Sequence, residues 1–310
     1  MIHQYHSNGK LLLTGEYLVL QGAEALALPL QKGQTLKVKP IGEKDRLIWR
    51  SIYKGRIFFE AEFSADTVNI EKTNNQELAQ FLQKLLKKAL DSIPAFIRRT
   101  GYLIETFLSF PLEWGLGSSS TLISNLSQWL NLNPFTLNKE ITNGSGYDIA
   151  CARSNRPILY KTFNSVPEYR EIDFYLPFKD KIYFIYTGRK QQSAREVKRF
   201  LDKPDEHSHL FGAIHDINKR IIRSSSLEDY EKALQEHEQI ISGVLKEKPV
   251  QEKYFADFPG TIKSLGAWGG DFILATWEGT REELREYFIT HGMDIIFSWD
   301  ELIKNQDYDG

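Results

Sequence analysis

The chain has 310 residues, 41% of them hydrophobic, with 39 basic side chains against 41 acidic ones and a formal net charge of -2. That length fills one large core or two ordinary ones, and two lobes are the better expectation. The balanced charge gives no electrostatic case for a nucleic-acid or membrane partner, so any anion-binding surface must be local. Cys151 is the single cysteine, which precludes an intramolecular disulfide and predicts a reducing, cytoplasmic setting. At the N-terminus the apolar run LLLTGEYLVL is interrupted by Gly15 and Glu16, so it predicts neither a signal peptide nor a membrane span.

Taken in order, Lys10 to Leu20 reads as two apolar strands bent around Thr14, Gly15 and Glu16, and Ala23 to Leu30 reads as a third. Lys10 stands at a strand entrance, where a lysine is ordinarily solvated. Gln34 to Phe63 alternates polar and apolar residues and predicts an antiparallel meander, with Trp49, Phe58 and Phe59 in the core. Helical spacing runs from Asn75 to Leu90, and Arg99 to Phe110 reads as a strand leading into PLEWGLGSSSTLISNL, Pro111 to Leu126. There Gly115 and Gly117 permit backbone angles closed to other residues, and Ser118, Ser119 and Ser120 open a helix. Unpaired N–H groups and the positive end of the helix dipole would point back into the turn, an arrangement that holds phosphate. A Gly-Ser turn that merely caps a helix is the plainer reading of this stretch alone.

Further on, NGSGYDIACA from Asn143 to Ala152 sets Asp148 at the end of a glycine turn entering buried structure. An aspartate capping a helix would look the same. Thr162 to Lys190 reads as strands, ending at TGRKQQSAREVKRFL. His207 to Arg223 and Leu227 to Lys246 read as amphipathic helices, the second with Tyr230, Leu234, His237 and Ile241 on one face. His207, His209 and His215 have no second ligand set with zinc spacing. TIKSLGAWGGDFILAT, Thr261 to Thr276, is a glycine-rich turn before an apolar strand; a helix over Arg281 to Thr290 and a strand over Ile295 to Ser298 follow. Meanders with interspersed helices predict an α+β fold.

These motifs, with SNGKLLLTGEYLVLQGAEALALPL near the N-terminus, occur in a fixed order and together resemble the GHMP small-molecule kinases, the superfamily of galactokinase, homoserine kinase, mevalonate kinase and phosphomevalonate kinase. The resemblance covers nearly the whole chain. It implies an N-terminal ATP-binding lobe of the ribosomal-protein S5 domain 2-like kind over 1–160 and a ferredoxin-like C-terminal lobe over 161–310. It places the ATP phosphates on Gly115, Leu116, Gly117, Ser118, Ser119 and Ser120, and Mg²⁺ on Ser119 with Glu140. Asp148 would face the substrate hydroxyl and accept its proton, while Lys10 would stabilise Asp148 and the transferring phosphoryl group. Glu16, Tyr17, Arg189, Ser193, Gly269 and Gly270 are the implied substrate-binding positions, with Lys190 beside them. In the third motif Gly266, Ala267, Gly269, Gly270 and Asp271 match the phosphomevalonate kinase form, and Trp268 replaces its middle glycine.

The implied activity is ATP-dependent phosphorylation of a mevalonate-pathway acid, mevalonate or 5-phosphomevalonate. A ligand sensor that has lost catalysis and a diphosphomevalonate decarboxylase-like enzyme are the alternatives the fold carries. The expected partner is an anionic small molecule, with no nucleic acid and no membrane; a homodimer is left open.

Overall fold

A computed structural model describes residues 2–42, 45–91, 101–142, 144–189, 200, 202, 207–266, 268 and 270–305. The chain divides into two compact units, Met1–Gly9 with Lys32–Leu112 and Leu116–Arg153, and Lys10–Gln31 with Glu113–Gly115 and Ser154–Gly310.

In the first unit, strands β3 (Arg46–Tyr53) and β4 (Arg56–Ser64) pair antiparallel, and β5 (Ile70–Thr73) adds to β4. Helix α1 (Gln76–Asp91) follows, burying Ala79, Leu82, Leu85, Leu86 and Ala89 along one face. The expected meander is therefore interrupted. Strand β6 (Gly101–Leu108) lies between β3 and β2 (Ala25–Ile41), parallel to β3 and antiparallel to β2. Parallel neighbours need a crossover segment, and α1 with its apolar stripe lies in the chain between them.

Leu36, Val38, Trp49, Phe63, Ile104 and the buried face of α1 form one core with Ile123 and Leu126 of α2 (Ser118–Leu130) and Ile149 of α4 (Tyr147–Arg153). Helix α3 (Pro134–Ile141) begins with Asn133 capping the N–H groups of Phe135 and Thr136. Two of the polar residues that α2 buries are satisfied by β1 and β2: Ser7 Oγ is 2.8 Å from Ser124 Oγ and 2.9 Å from Asn125 Oδ1, and Asn125 Nδ2 donates to the Gln34 carbonyl at 2.9 Å.

The second unit contains β7 (Ile158–Phe163) and β8 (Val166–Glu171), with β7 antiparallel to the start of β2. It also contains a four-stranded antiparallel sheet made from β9 (Ile182–Tyr186), β10 (Ile262–Leu265), β11 (Phe272–Thr276) and β12 (Ile296–Ser298), in the order β10-β11-β9-β12. Helices α5 (Phe211–Arg223), α6 (Leu227–Leu245) and the short α7 (Val250–Tyr254) connect β9 to β10; α8 (Arg281–Thr290) connects β11 to β12, and α9 (Trp299–Leu302) follows β12. Chain order and sheet order together give the split β-α-β topology of ferredoxin-like folds.

Strand β1 (His3–Thr14) ends at the turn read from the sequence, but Leu18–Gln21 is a 3-10 turn where a strand was expected. Tyr17 takes φ 62, and the Val19 N–H bonds back to the Gly15 carbonyl, so extended backbone cannot continue there. No helix among the described residues is long and apolar enough to cross a membrane.

Candidate active site

In the first unit, Gly117 occupies the N-cap of α2 in the left-handed region, φ 93, with no side-chain cap. The seryl hydroxyls do not cap the helix start: Ser120 Oγ turns back to the Gly117 carbonyl at 2.9 Å. The first N–H groups of a thirteen-residue helix are thus left without side-chain acceptors, which is the electrostatic condition for holding an anion. Ser119 is exposed in that first turn, and Leu116 is fully buried beneath it.

Asp148 is the second residue of α4, half-buried, and its Oδ1 accepts from the Ile149 N–H at 3.0 Å. Glu140 stands at the end of α3 in an exposed pair with Lys88 at 3.1 Å. An exposed pair of this kind contributes little to stability.

In the second unit, Lys10 Nζ donates to the Gly115 carbonyl at 2.9 Å. Gly115 has φ +64, and a Cβ built on it would meet Asp271 Oδ2 at 1.9 Å. Lysine, glycine and aspartate from three motifs thus converge within this unit. Trp114, immediately before Gly115, is pinned by Tyr186, Phe272 and Phe297 at ring separations of 5.6, 6.0 and 5.5 Å. Gly115→Ala is expected to lower stability by about 1–2 kcal/mol or more, from the left-handed backbone alone, and to weaken MgATP binding; urea unfolding and titration calorimetry check both.

The segment after β1 is tied down residue by residue. Thr14 Oγ1 donates to Asn218 Oδ1 of α5 at 2.5 Å, the Gly15 N–H donates to His237 Nε2 of α6 at 2.9 Å, and Lys263 Nζ of β10 donates to Glu16 Oε1 at 2.7 Å. The Trp268 N–H, in turn, donates to the Tyr17 hydroxyl at 3.0 Å. Glu16 is 2% exposed and Lys263 wholly buried, so the Glu16 carboxylate points into this unit.

Trp268 packs with Tyr17, Leu18, Ile214 and Ile241 in a buried cluster. The indole that replaces a motif glycine is a core side chain anchoring the turn from below. Gly270 accepts from Thr187 Oγ1 at 2.9 Å. Arg189 lays its guanidinium 3.9 Å from the Tyr254 ring centroid. Ser193, Lys190, Ala267 and Gly269 lie outside the described residues. His215, one of the three clustered histidines, pairs with Glu24 at 2.9 Å.

Lys263 completes its three donors with Glu238 Oε1 at 3.2 Å and the Ser264 carbonyl at 2.9 Å. Burial pushes the Glu16 carboxyl up to about 7 against the pull of Lys263. It raises Glu238 as well, and holds His237 well below the usual histidine range, with Lys263 adding to that effect. Asp271, Lys263, His237 and Glu238 did not stand out as site residues in the sequence. The available signal was polarity in the wrong place: a lysine inside a short strand bounded by Ile262 and Leu265, and a histidine on the apolar face of a helix.

No family model matches the chain. Among solved structures it is similar over nearly its whole length to the Methanococcus jannaschii mevalonate kinase, with TM-score 0.70, 19% identity, and 99% and 98% of the two chains covered. It is similarly close to the Streptococcus pneumoniae phosphomevalonate kinase in complex with phosphomevalonate and AMPPNP, with TM-score 0.70, 16% identity, and 96% and 99% covered. The chain has the fold shared by the GHMP small-molecule kinases. Within that class it is 26% identical to a phosphomevalonate kinase of Saccharolobus solfataricus, over 93% of this chain and 94% of the relative.

Proposed function

We propose that the protein is an ATP-dependent phosphotransferase acting on a mevalonate-pathway acid, mevalonate or 5-phosphomevalonate. The observation that carries this reading is end-to-end similarity to phosphomevalonate and mevalonate kinases in a chain whose sequence carries Lys10, the glycine-serine turn before α2 and Asp148. The third motif and the curated relative both favour the phosphorylated acid as acceptor. ATP phosphates rest on the 115–120 turn, where backbone N–H groups and the helix dipole offset their charge. Lys10 neutralises the transferring phosphoryl group, and Asp148 faces the acceptor.

Magnesium bound to a nucleotide keeps several waters and takes few protein ligands, and it supplies charge neutralisation along the phosphates. The residues present fit that mode. Among the described residues no group of three or more His, Cys, Asp or Glu side chains could hold a metal, while Ser119 offers an exposed hydroxyl at the helix start. Glu140 fits less well, because Lys88 already neutralises its carboxylate. Glu140→Ala is accordingly expected to change stability by less than about 1 kcal/mol and to leave the magnesium dependence of turnover unaltered, as a Mg²⁺ titration of initial rates would record.

The reading is tested by ADP release from the purified protein with MgATP and, separately, mevalonate, 5-phosphomevalonate, homoserine and galactose. Turnover on a mevalonate-pathway acid alone supports it. Turnover only on homoserine or galactose, or ADP release accompanied by carbon dioxide, replaces it.

A further inference from the structure

The residues that follow β1 show an unusual regularity. Thr14, Gly15, Glu16 and Tyr17 each take a partner from a different part of the second unit: Asn218 on α5, His237 on α6, Lys263 on β10, and Trp268 in the glycine-rich turn. Three of these contacts are short hydrogen bonds to neutral groups. The fourth is a buried ion pair with a second carboxylate, Glu238, on the same lysine.

This cluster is built around one proton. The titratable groups facing Glu16 are Lys263 from β10 and His237 and Glu238 from α6. His237 Nε2 already accepts from the Gly15 N–H, yet Glu16 Oε2 lies 3.2 Å from the same nitrogen and has no other hydrogen-bond partner among the described residues. With Glu16 ionised, two lone-pair atoms would face each other out of water, which is costly. A proton on Glu16 Oε2 relieves that repulsion, its O–H sharing the single Nε2 lone pair with the Gly15 N–H. Glu16 Oε1 still accepts from Lys263, and the one lysine is balanced by the one remaining carboxylate, Glu238.

We infer that Lys263 is a positioning residue: through Glu16 it locks the Thr14–Tyr17 turn and, four residues along β1, the pose of Lys10 against the Gly115 carbonyl. The kinetic half of this inference rests on the proposed phosphotransfer; the lock itself does not. Lys263 touches neither Lys10 nor Gly115, and it acts by fixing the end of the strand that carries Lys10. The same lysine heads the short strand that leads into the glycine-rich turn, so it ties the first motif to the third.

The test compares full-length wild type with Lys263→Met, Glu16→Ala and the neutral mimic Glu16→Gln, following amide hydrogen exchange of the 12–20 segment and kcat per folded molecule. Lys263→Met and Glu16→Ala are expected to speed exchange at 14–18 by at least about tenfold through local opening and to lower kcat. Glu16→Gln, whose amide replaces the protonated carboxyl, is expected to restore both to within about threefold of wild type, since the oxygen that accepts from Lys263 is kept and an amide N–H stands in for the carboxyl O–H. If Lys263→Met does not fold, Glu16→Ala decides, because it leaves the Lys263–Glu238 pair intact. Unchanged exchange in Glu16→Ala overturns the lock. Faster exchange with kcat unchanged reduces Lys263 to a purely structural role and overturns the positioning claim. Failure of the wild type on every acceptor defeats the phosphotransfer reading, and the exchange data alone then uphold or overturn the lock.

Discussion

Asp148→Asn is expected to slow phosphoryl transfer to an alcohol by about 10²–10⁴-fold, while transfer to a phosphate monoester, already ionised near pH 7, is expected to stay within about tenfold. An aspartate with a reference pKa of about 3.9 cannot deprotonate a free alcohol before bond formation. Its role would come late, when the forming P–O bond has acidified the hydroxyl, and asparagine cannot accept that proton. A phosphate oxygen has no proton to give at neutral pH, so the same substitution removes only a nearby charge. The size of the defect therefore reports the acceptor as well as the role of Asp148.

The choice of asparagine also separates catalysis from capping. Asp148 Oδ1 accepts from the Ile149 N–H at the start of α4, and asparagine keeps an oxygen there and is itself a favoured helix-start residue. Thermal stability and MgATP affinity are expected to change little, because asparagine keeps the oxygen that accepts from the Ile149 N–H. Initial rates on mevalonate and 5-phosphomevalonate, with and without the substitution, make the measurement. Full alcohol-directed activity in Asp148→Asn would make Asp148 a cap and nothing more.

The parts of this molecule that were legible in the sequence are those set by local chemistry. Amphipathic spacing predicts α1, α6 and α8 to within a residue or two, because each buries an apolar stripe. Gly115 and Gly117, together with the serines after them, marked the helix start, and both glycines do take positive φ. The insertion of β6 between β2 and β3 was not legible. Alternation gives the faces of a strand but not its neighbours, and the parallel pairing depends on how α1 packs. Glu16 was read as a lining residue because it stands beside Tyr17 in a recognisable motif. Its carboxylate is committed to Lys263, a partner 247 residues away, and no local pattern encodes that distance. Trp268 departs from the glycine of the third motif, and the sequence does not show why; its backbone N–H holds Tyr17 and its indole fills the core beneath.

Lys263→Met is expected to be the most damaging single substitution to stability, at about 3–5 kcal/mol, because it strips from the buried Glu238 carboxylate its cation partner among the described residues and from the Glu16 carboxyl its donor. Glu238 would have to take a proton or remain charged out of water, and either course adds to the cost of the lost hydrogen bonds. The sequence Ile262-Lys263-Ser264-Leu265 would gain hydrophobicity, so an account based on apolar burial alone predicts the opposite sign. Urea unfolding at several pH values distinguishes the two.

The pH dependence belongs to Glu16 and is isolated by comparing wild type with Glu16→Gln. A carboxyl held up to about 7 in the folded protein, against an ordinary value of about 4.3 unfolded, favours folding fully below the unfolded value and loses that contribution as pH rises to the folded one. Each pKa unit corresponds to about 1.4 kcal/mol, so wild type should lose about 3 kcal/mol relative to Glu16→Gln between pH 4 and 8. His237 runs the other way: a buried neutral imidazole costs stability as pH falls below the usual histidine value. Because His237 is common to both proteins, it cancels in the difference. A difference that does not vary with pH would show that Glu16 is ionised throughout, and that Lys263 holds two charges where the geometry provides for one.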